Sequence, residues 1–533
     1  MKNMIVKKLS IVMVAAAMVT SCAKKLDLFP PNDLTPETTY STAAGYKAVL
    51  AKIYGGMATT GNQGPSGASD IQGLDEGSQS PFIRGFFNCQ ELPTDEAIVT
   101  WNDQTIHDFH NMRWTSADPF LLGMYARPIY NITISNEYLR ESTDEKVAGR
   151  GITGSDAEEI RGTRAEVRFL RAFNYWAMLD LFGKSTFVTE EDKIGSDLPR
   201  QIERPELFAF IETELKAIEN DLAAARSMEY SRVDRAAAWA LLARLYLNAE
   251  TYTGTPRYAD ALTYAKKVID AGYSLHPDYR QVFMADNDQA KNEFIYVIAC
   301  DGARIQSYGN TTFLVHAACG DDHDEYGVAG GWSGYRTTEA FANLFADKSG
   351  NSDQRALFTN LGNPEITTVS AFAEGIHVRK FINIRSDGKP VNDPKRDFVD
   401  IDFPIFRLAE MLLIYAEAHI RGGGGDASTA LDYLNQLRYR AYGGSFGTGD
   451  VGKLNGGDLN LQTILDERGR ELYWEGHRRT DLIRFGKFTS ASYLWPWKGG
   501  VSSGTAVDDK YKLFPVPSAN RTANPNLDQN AGY

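Results

Sequence analysis

Four stretches of this chain repeat apolar side chains at steps of three and four residues, and that spacing commits much of it to helix. In RAEVRFLRAFNYWAMLDLFG the stripe is Val167, Leu170, Phe173, Ala177 and Leu181, ended by Gly183. In RAAAWALLARLYLNAE it is Ala238, Leu241, Leu242, Leu245 and Ala249. Leu408, Met411, Leu412, Tyr415 and Ala416 form the third, stopped by Gly422 to Gly425, and Leu461, Ile464, Leu465 and Leu472 the fourth. Weaker amphipathic patterns lie at 41–57, 205–226, 258–271, 339–347 and 427–441. Neighbours such as 205–226, 232–250 and 258–271 form helix pairs joined by short turns. That predicts a mainly α, helical-repeat scaffold, although no clean repeat signature recurs.

Between the helices lie long segments without periodicity: 58–118, 184–203, 273–337, 348–403, 443–459 and 489–533. They hold most of the Gly, Trp and Asn, and loops of such length in a compact domain carry function or extra structure. The helices are expected to be the scaffold and the loops the working face. No linker divides the chain, so 40–533 reads as one composite domain.

The N-terminus is an address. Lys2, Lys7 and Lys8 flank an apolar run at 9–19, which Thr20-Ser21-Cys22 closes with small residues. The Cys after Val19-Thr20-Ser21 resembles a bacterial lipobox, implying removal of 1–21 and lipidation of the Cys22 thiol and amine. The run falls short of the ~20 apolar residues of a membrane helix. Residues 22–39, polar and Pro-rich, then form a lipidated Cys and tether, and the chain is expected to be anchored rather than spanning. With Cys22 in the anchor, Cys89, Cys300 and Cys319 remain, which allow at most one disulfide; Cys300 and Cys319 are the near pair.

With 69 acidic against 56 basic residues and a net charge of −13, the chain is not a general nucleic-acid binder. It carries no GxxxxGK[ST], HExxH, CxxC pair or GxSxG. Acidic pairs such as Asp95-Glu96 are too common here to argue for hydrolysis. In 467–488, Arg470, Arg478 and Arg479 would suit an anion, but Glu467, Glu471 and Glu475 at helical spacing predict an ion-paired helix with a solvated face. His477 is expected to be structural. The acidic loop DNDQAKNE offers Asp286, Asn287 and Asp288 as hard oxygen ligands, without the EF-hand spacing, and is expected to be a solvated turn.

Aromatic residues in the loops carry more. Trp101 follows ELPTDE, Tyr308 sits in QSYGNTTF, Trp332 in GGWSGY, and Trp495 and Trp497 in YLWPWKGG. A sugar ring packs its C–H face on an indole or phenol, while its hydroxyls need planar polar partners. Arg84, Asn102 and Gln104 lie near Trp101 in sequence and are candidates for that role. Any single tryptophan, taken alone, is expected to pack beneath its loop.

Five segments together resemble the SusD/RagB lipoproteins of Bacteroidetes: 164–184, 236–254, 400–418, ILDERGRELYWEGHRRTDLIRFGKF at 464–488 and FPVPSANRTANPNLDQNAGY at 514–533. The resemblance spans the chain. It implies a mostly α fold of four tetratricopeptide-like helix pairs under a loop-rich ligand face. It also implies a non-catalytic, lipid-anchored outer-membrane protein that is not an enzyme, lies as a lid on a SusC-like TonB-dependent transporter and faces the cell exterior. The loops GLDEGSQSPFIRGFFNCQELPTDE, VFMADND, IRSDGKPV and YLWPWKGG look like those of the family's starch-binding member. Carried over, Trp101, Tyr308 and Trp332 fall on an aromatic arc that cradles a curved α-1,4-glucan (starch, malto-oligosaccharides). Arg84 falls on a position that bonds glucose hydroxyls, and Gln104, or Asn102 beside it, on an amide of that site.

There are departures. Val99 replaces a tryptophan, the segment from Phe372 to Lys380 is shorter, and Lys24-Lys25 lacks an acidic export signature. Pro496 removes a carboxylate suited to calcium, leaving Asp288, with Asp286, as candidate ligands of a structural calcium; no cofactor is required. Val99 and the short segment motivate an alternative ligand of the same role, such as an α-1,6-glucan.

Overall fold

The structure, a computed structural model, describes residues 35–533 except Gln104, Ile194, Ser196 and Thr448. The signal, Cys22 and most of the tether lie outside the described residues. The fold is mainly α. Its principal helices are α1 (Ala43–Gly55), α2 (Phe82–Glu91), α3 (Pro119–Glu141), α4 (Ser155–Leu181), α5 (Arg204–Ile218) and α6 (Arg235–Leu247). They continue with α7 (Tyr258–Asp270), α8 (Thr311–Ala318), α9 (Leu408–Ala418), α10 (Ala427–Ala441), α11 (Leu461–Leu472) and α12 (Arg478–Arg484). Helix α3 packs on α4 and α4 on α5; α6 packs on α7, α7 on α9, and α9 on α10 and α11. One cluster of buried side chains runs through them, from Tyr40 to Leu527. No described helix is long and apolar enough to cross a membrane.

The strong stripes behave as their spacing predicts. Val167, Leu170, Phe173, Ala177 and Leu181 are fully buried along α4, and Gly183 (φ 73°) turns the chain out of it. After α9 a short π turn follows, with Gly422 at φ 89° ending it. Helix α3 was not visible as a stripe, because its buried face mixes Tyr125 and Tyr138 with Arg127, Asn131, Ser135 and Asn136. Its start is chemical rather than periodic: Asp118 accepts from the backbone N–H of Phe120 (2.8 Å) and Leu121 (3.0 Å), and Pro119 occupies the first turn. The segments expected to be irregular also hold α2 and α8, while 339–347 gives a single helical turn, Glu339–Ala342.

Among the described residues, eight short strands form four antiparallel pairs: β1 (Ile98–Val99) with β5 (Tyr335–Arg336), β2 (Ser185–Phe187) with β3 (Arg200–Ile202), β4 (Phe294–Ile298) with β8 (Phe403–Arg407), and β6 (Phe358–Thr359) with β7 (His377–Val378). The β1–β5 pair sets Val99 opposite Tyr335, and so fastens the segment before Trp101 to the one after Trp332.

The solvated charged face expected at 467–488 is a correction. Glu467, Glu471 and Glu475 are at most 3 % exposed, and apart from Arg470, which bonds Glu467 (2.8 Å), their partners come from distant segments. Arg407 bonds Glu475 (2.7 Å), Glu293 (2.9 Å) and Glu471 (2.6 Å). Arg355 bonds Glu467 (3.0 Å) and Asp353 (2.7 Å), and Lys380 reaches Glu475 at 2.6 Å. Local charge balance was the right pattern, but a linear sequence does not show that β8, α10 and 353–380 bring more cations to the same place. Cys89, Cys300 and Cys319 are free and buried.

Candidate ligand-binding site

Helix α2 aims Arg84 at the loop face. Its backbone N–H donates to Gly309 O (3.1 Å), drawing in the Tyr308 loop, and a Cβ on Gly309 would sit 2.0 Å from Pro81 Cγ, so only glycine fits. Arg84 Nη1 donates to Gly77 O at 2.9 Å, and the guanidinium lies over the rings of Phe313 (4.6 Å) and Trp101 (5.5 Å). Its Nε is buried without a partner among the described residues. Burial, with no carboxylate in ion-pair range among those residues, lowers the Arg84 pKa below its ordinary value. Arg84 is therefore a held cation with donor capacity left for a ligand.

Trp101 follows β1. Thr100 N–H donates to Gly334 O (2.8 Å), and the Trp101 indole meets Tyr335 edge-on at 5.2 Å. Trp332 N–H donates to His316 O (2.8 Å), and its indole stacks on the His316 ring at 4.9 Å and 22°. The His316 nitrogens lie 2.7 Å from Gly330 O and 3.1 Å from Asp397 O, and burial keeps its pKa low. That ring is a support for the indole. Tyr308 leans on Trp332 with centroids 6.2 Å apart and on Phe398 at 5.0 Å.

Arg84, Trp101, Asn102 and Trp332 line one open cavity of about 540 Å³. Tyr308 adjoins it through Trp332; Gln104 lies outside the described residues. Trp495 and Trp497 are elsewhere: Trp495 is 1 % exposed, and Trp497 donates its Nε1–H to Ile366 O at 2.8 Å. Trp495 packs beneath its loop, as expected of a tryptophan taken alone, while Trp497 stays half-buried. Sequence reasoning missed Asp103, Ser370 and Phe372, which also line the cavity. Phe372 sits in a segment that stood out only for its shortness.

A slightly larger cavity, about 590 Å³, lies between α1 and β4. Its polar heads already serve one another, since Tyr54 Oη–H and Arg232 Nε–H both donate to Glu166 (2.6 and 3.1 Å). Of these two, the smaller cavity combines open indole faces with a held cation.

The residues proposed for calcium do not form a cage. Asp286 accepts from Ser386 N–H (2.9 Å) and Oγ–H (2.7 Å), and Asp288, exposed, accepts from Gln289 Nε2–H (2.9 Å). Calcium needs about six to eight oxygens, and no group of three or more acidic, His or Cys side chains suited to a metal occurs among the described residues.

Comparison with known proteins fits this geometry. The sequence pattern of the SusD family matches residues 332–533. The chain is 36 % identical to the starch-binding protein SusD of Bacteroides thetaiotaomicron over all of both chains. It is 25 % identical to SusD-like protein P2 of Formosa agariphila, over 74 % of this chain and 78 % of that one. Among solved structures, the surface glycan-binding protein A of B. thetaiotaomicron in complex with laminarihexaose superposes with a TM-score of 0.66 at 20 % identity, covering 91 % of this chain and 99 % of that one. A SusD homologue of the same organism superposes with a TM-score of 0.70 at 16 % identity, over 93 % and 98 %. At those identities the superpositions speak for the fold alone; full-length likeness to a relative settles membership, and the chain belongs to the SusD family, whose members are non-catalytic glycan-binding proteins.

Proposed function

We propose that this protein binds starch and malto-oligosaccharides at the Arg84–Trp101–Trp332 cavity. The observation that carries the reading is the convergence of two half-exposed indoles, Trp101 and Trp332, with the partly unpaired Arg84 guanidinium in one open cavity. Tyr308, beside Trp332, extends the aromatic surface, and Asn102, exposed at the rim, supplies an amide for vicinal hydroxyls. Rings set at angles suit the curved apolar face of an α-1,4-glucan better than a flat β-glucan. The 36 % identity to a protein named for starch binding supports the same ligand. Gln104 is proposed as a second amide, and the reading calls for no cofactor.

In this role Cys22 carries the lipid that anchors the protein to the outer membrane, facing outward, and the bound glycan passes to a SusC-like TonB-dependent transporter. Cys22→Ala should shift the protein from the membrane to the soluble fraction.

Calorimetric titration of residues 23–533 with maltoheptaose, with cellohexaose as the flat control, tests the ligand. Heat with the first and none with the second is the expected result; silence with both retires starch. One observation favours an α-1,6-glucan as the second reading. Val99 stands where the resemblance implies a tryptophan, so one ring of that site is missing. Tighter binding of isomaltoheptaose than of maltoheptaose would support it.

A further inference from the structure

The cavity has a wall that the sequence did not announce. Phe372 is 50 % exposed, one of the few large apolar side chains so open, and with Ser370 it lines the same space as Trp101 and Trp332. The loop beneath it is fastened from below. Arg336, 1 % exposed, donates through Nη1 to Ala371 O (2.7 Å) and Glu374 O, and through Nη2 to Val369 O (2.7 Å). Asn360 Nδ2–H donates to Ala373 O (3.2 Å) and Gly375 O (2.8 Å), and Asn363 Nδ2–H to Ala373 O (2.9 Å). The Glu374 carboxylate accepts from Thr367 N–H and Thr368 N–H, both at 2.8 Å, and from Thr367 Oγ–H at 2.7 Å. Trp497 holds the start of the loop through Ile366 O.

Two features need explaining together. Phe372 is not a lone surface side chain: it shares one cavity with the Trp101 and Trp332 indoles, and a contiguous open aromatic surface marks a binding site. Arg336 is a buried cation whose hydrogen bonds all go to neutral carbonyls, an arrangement costly to build for stability alone. Both are accounted for when the loop is a rigid platform for a ligand. A ring already held in place loses little freedom on binding, so its contact appears as affinity. The clamp belongs to the arc as well: Arg336 follows Tyr335 in β5, and β5 pairs with the strand that sets Trp101.

We propose that 366–375 is a preformed specificity element, with Phe372 as an additional aromatic contact for a neutral glycan and Arg336 as its positioning residue. This rests on the glycan reading above. Phe372 touches the ligand; Arg336 acts only through the loop. Asp103 on the same cavity disfavours anionic glycans, so the ligand class is a neutral chain long enough to reach from the two indoles to the phenyl ring.

The test is calorimetric titration of residues 23–533 with a panel of neutral oligosaccharides, maltoheptaose and isomaltoheptaose first, combined with amide hydrogen exchange over 366–375. Phe372→Ala should weaken binding roughly three- to tenfold, the range of one aromatic contact, and leave amide exchange unchanged. Arg336→Gln should weaken binding to a similar degree and speed exchange at Ala371, Glu374 and Gly375, whose N–H groups donate to Thr368 O, Ala371 O and Asn363 O. The double variant should bind no worse than the weaker single variant. Arg336→Lys should not rescue, since a compact ammonium lacks the planar guanidinium fork that spans Val369 O, Ala371 O and Glu374 O from one fixed plane. If the wild type binds and Phe372→Ala binds equally, the inference falls while the glycan reading stands. Faster exchange in Arg336→Gln with unchanged affinity overturns the positioning role. A wild type silent towards the whole panel overturns the glycan reading and this inference with it.

Discussion

Gly334 decides where the Trp101 indole sits. Its φ is 124°, and a Cβ there would come within 2.4 Å of Trp101 Nε1. Gly334→Ala should therefore weaken maltoheptaose binding at least as much as Trp101→Ala, about 1–3 kcal/mol, and lower the melting temperature through backbone strain. Titration and a thermal scan of both variants check this. Two other tryptophans give a paired contrast. Trp332→Ala should lose a similar share of binding with little loss of stability, because one face of the indole is open. Trp495→Ala should cost about 3–5 kcal/mol of stability and leave affinity intact, because that ring is core. Trp101, Trp332 and Arg84 were legible as candidates, and the structure gathers them at one cavity, because open aromatics beside planar donors are a chemical pattern carried by residue type. Trp495 looks the same in sequence, and Phe372 looked like nothing, since exposure is a property of neighbours that are remote along the chain.

At the scale of elements, the charges of α11 are the best case of pattern without context. Their spacing gave an ion-paired helix, but of its arginines only Arg470 pairs within it, to Glu467 (2.8 Å), while Arg478 turns to Asp95 (2.7 Å); the face is buried because β8 and α10 bring Arg407 and Arg440 onto Glu471. Burial would push the Glu471 carboxyl up, but Arg440, Arg407 and Arg355 together hold it at about 2. Arg407→Ala would take from Glu471 and Glu475 the one cation they share and should cost about 3–5 kcal/mol in denaturant unfolding. Arg470→Ala, at the edge of the network, should cost less. The helices with apolar stripes could be read directly because a periodicity of 3.6 is local. Helix α3 could not, because its polar buried positions are satisfied by partners far away: Arg127 by Ser80 O (2.7 Å) and Asn136 by Val188 O (3.0 Å).

Across the whole molecule, buried ionisable groups set how stability depends on pH, and they pull in two directions. Burial keeps His107, His110, His316, His377 and His477 below the ordinary imidazole value, His110 at about 3. Such groups contribute stability that is present above ~6.5 and lost as pH falls towards the folded values. Glu91 and Glu96 act oppositely. Burial pushes Glu91 up to about 7, and burial together with Glu91 pushes Glu96 higher, while Trp474 N–H donates to Glu96 (2.9 Å) and Gly476 N–H to Glu91 (2.6 Å). Their contribution is full below ~4.3 and is lost as pH rises through about 7. The melting temperature should therefore peak in mildly acidic buffer and fall on both sides. Glu91→Gln should flatten the fall between pH 6 and 8 while leaving the acid side in place. An unchanged alkaline slope in that variant would remove the pair from the account.

By itself the sequence determined the helical scaffold and the residue types of the candidate site, because periodicity and side-chain chemistry are local quantities. Tertiary structure alone decided which aromatics face the cavity, which charges are buried and that the 366–375 loop joins the site. Those outcomes depend on pairings such as Val99 with Tyr335, between segments far apart in the chain, and burial is defined only once they have closed.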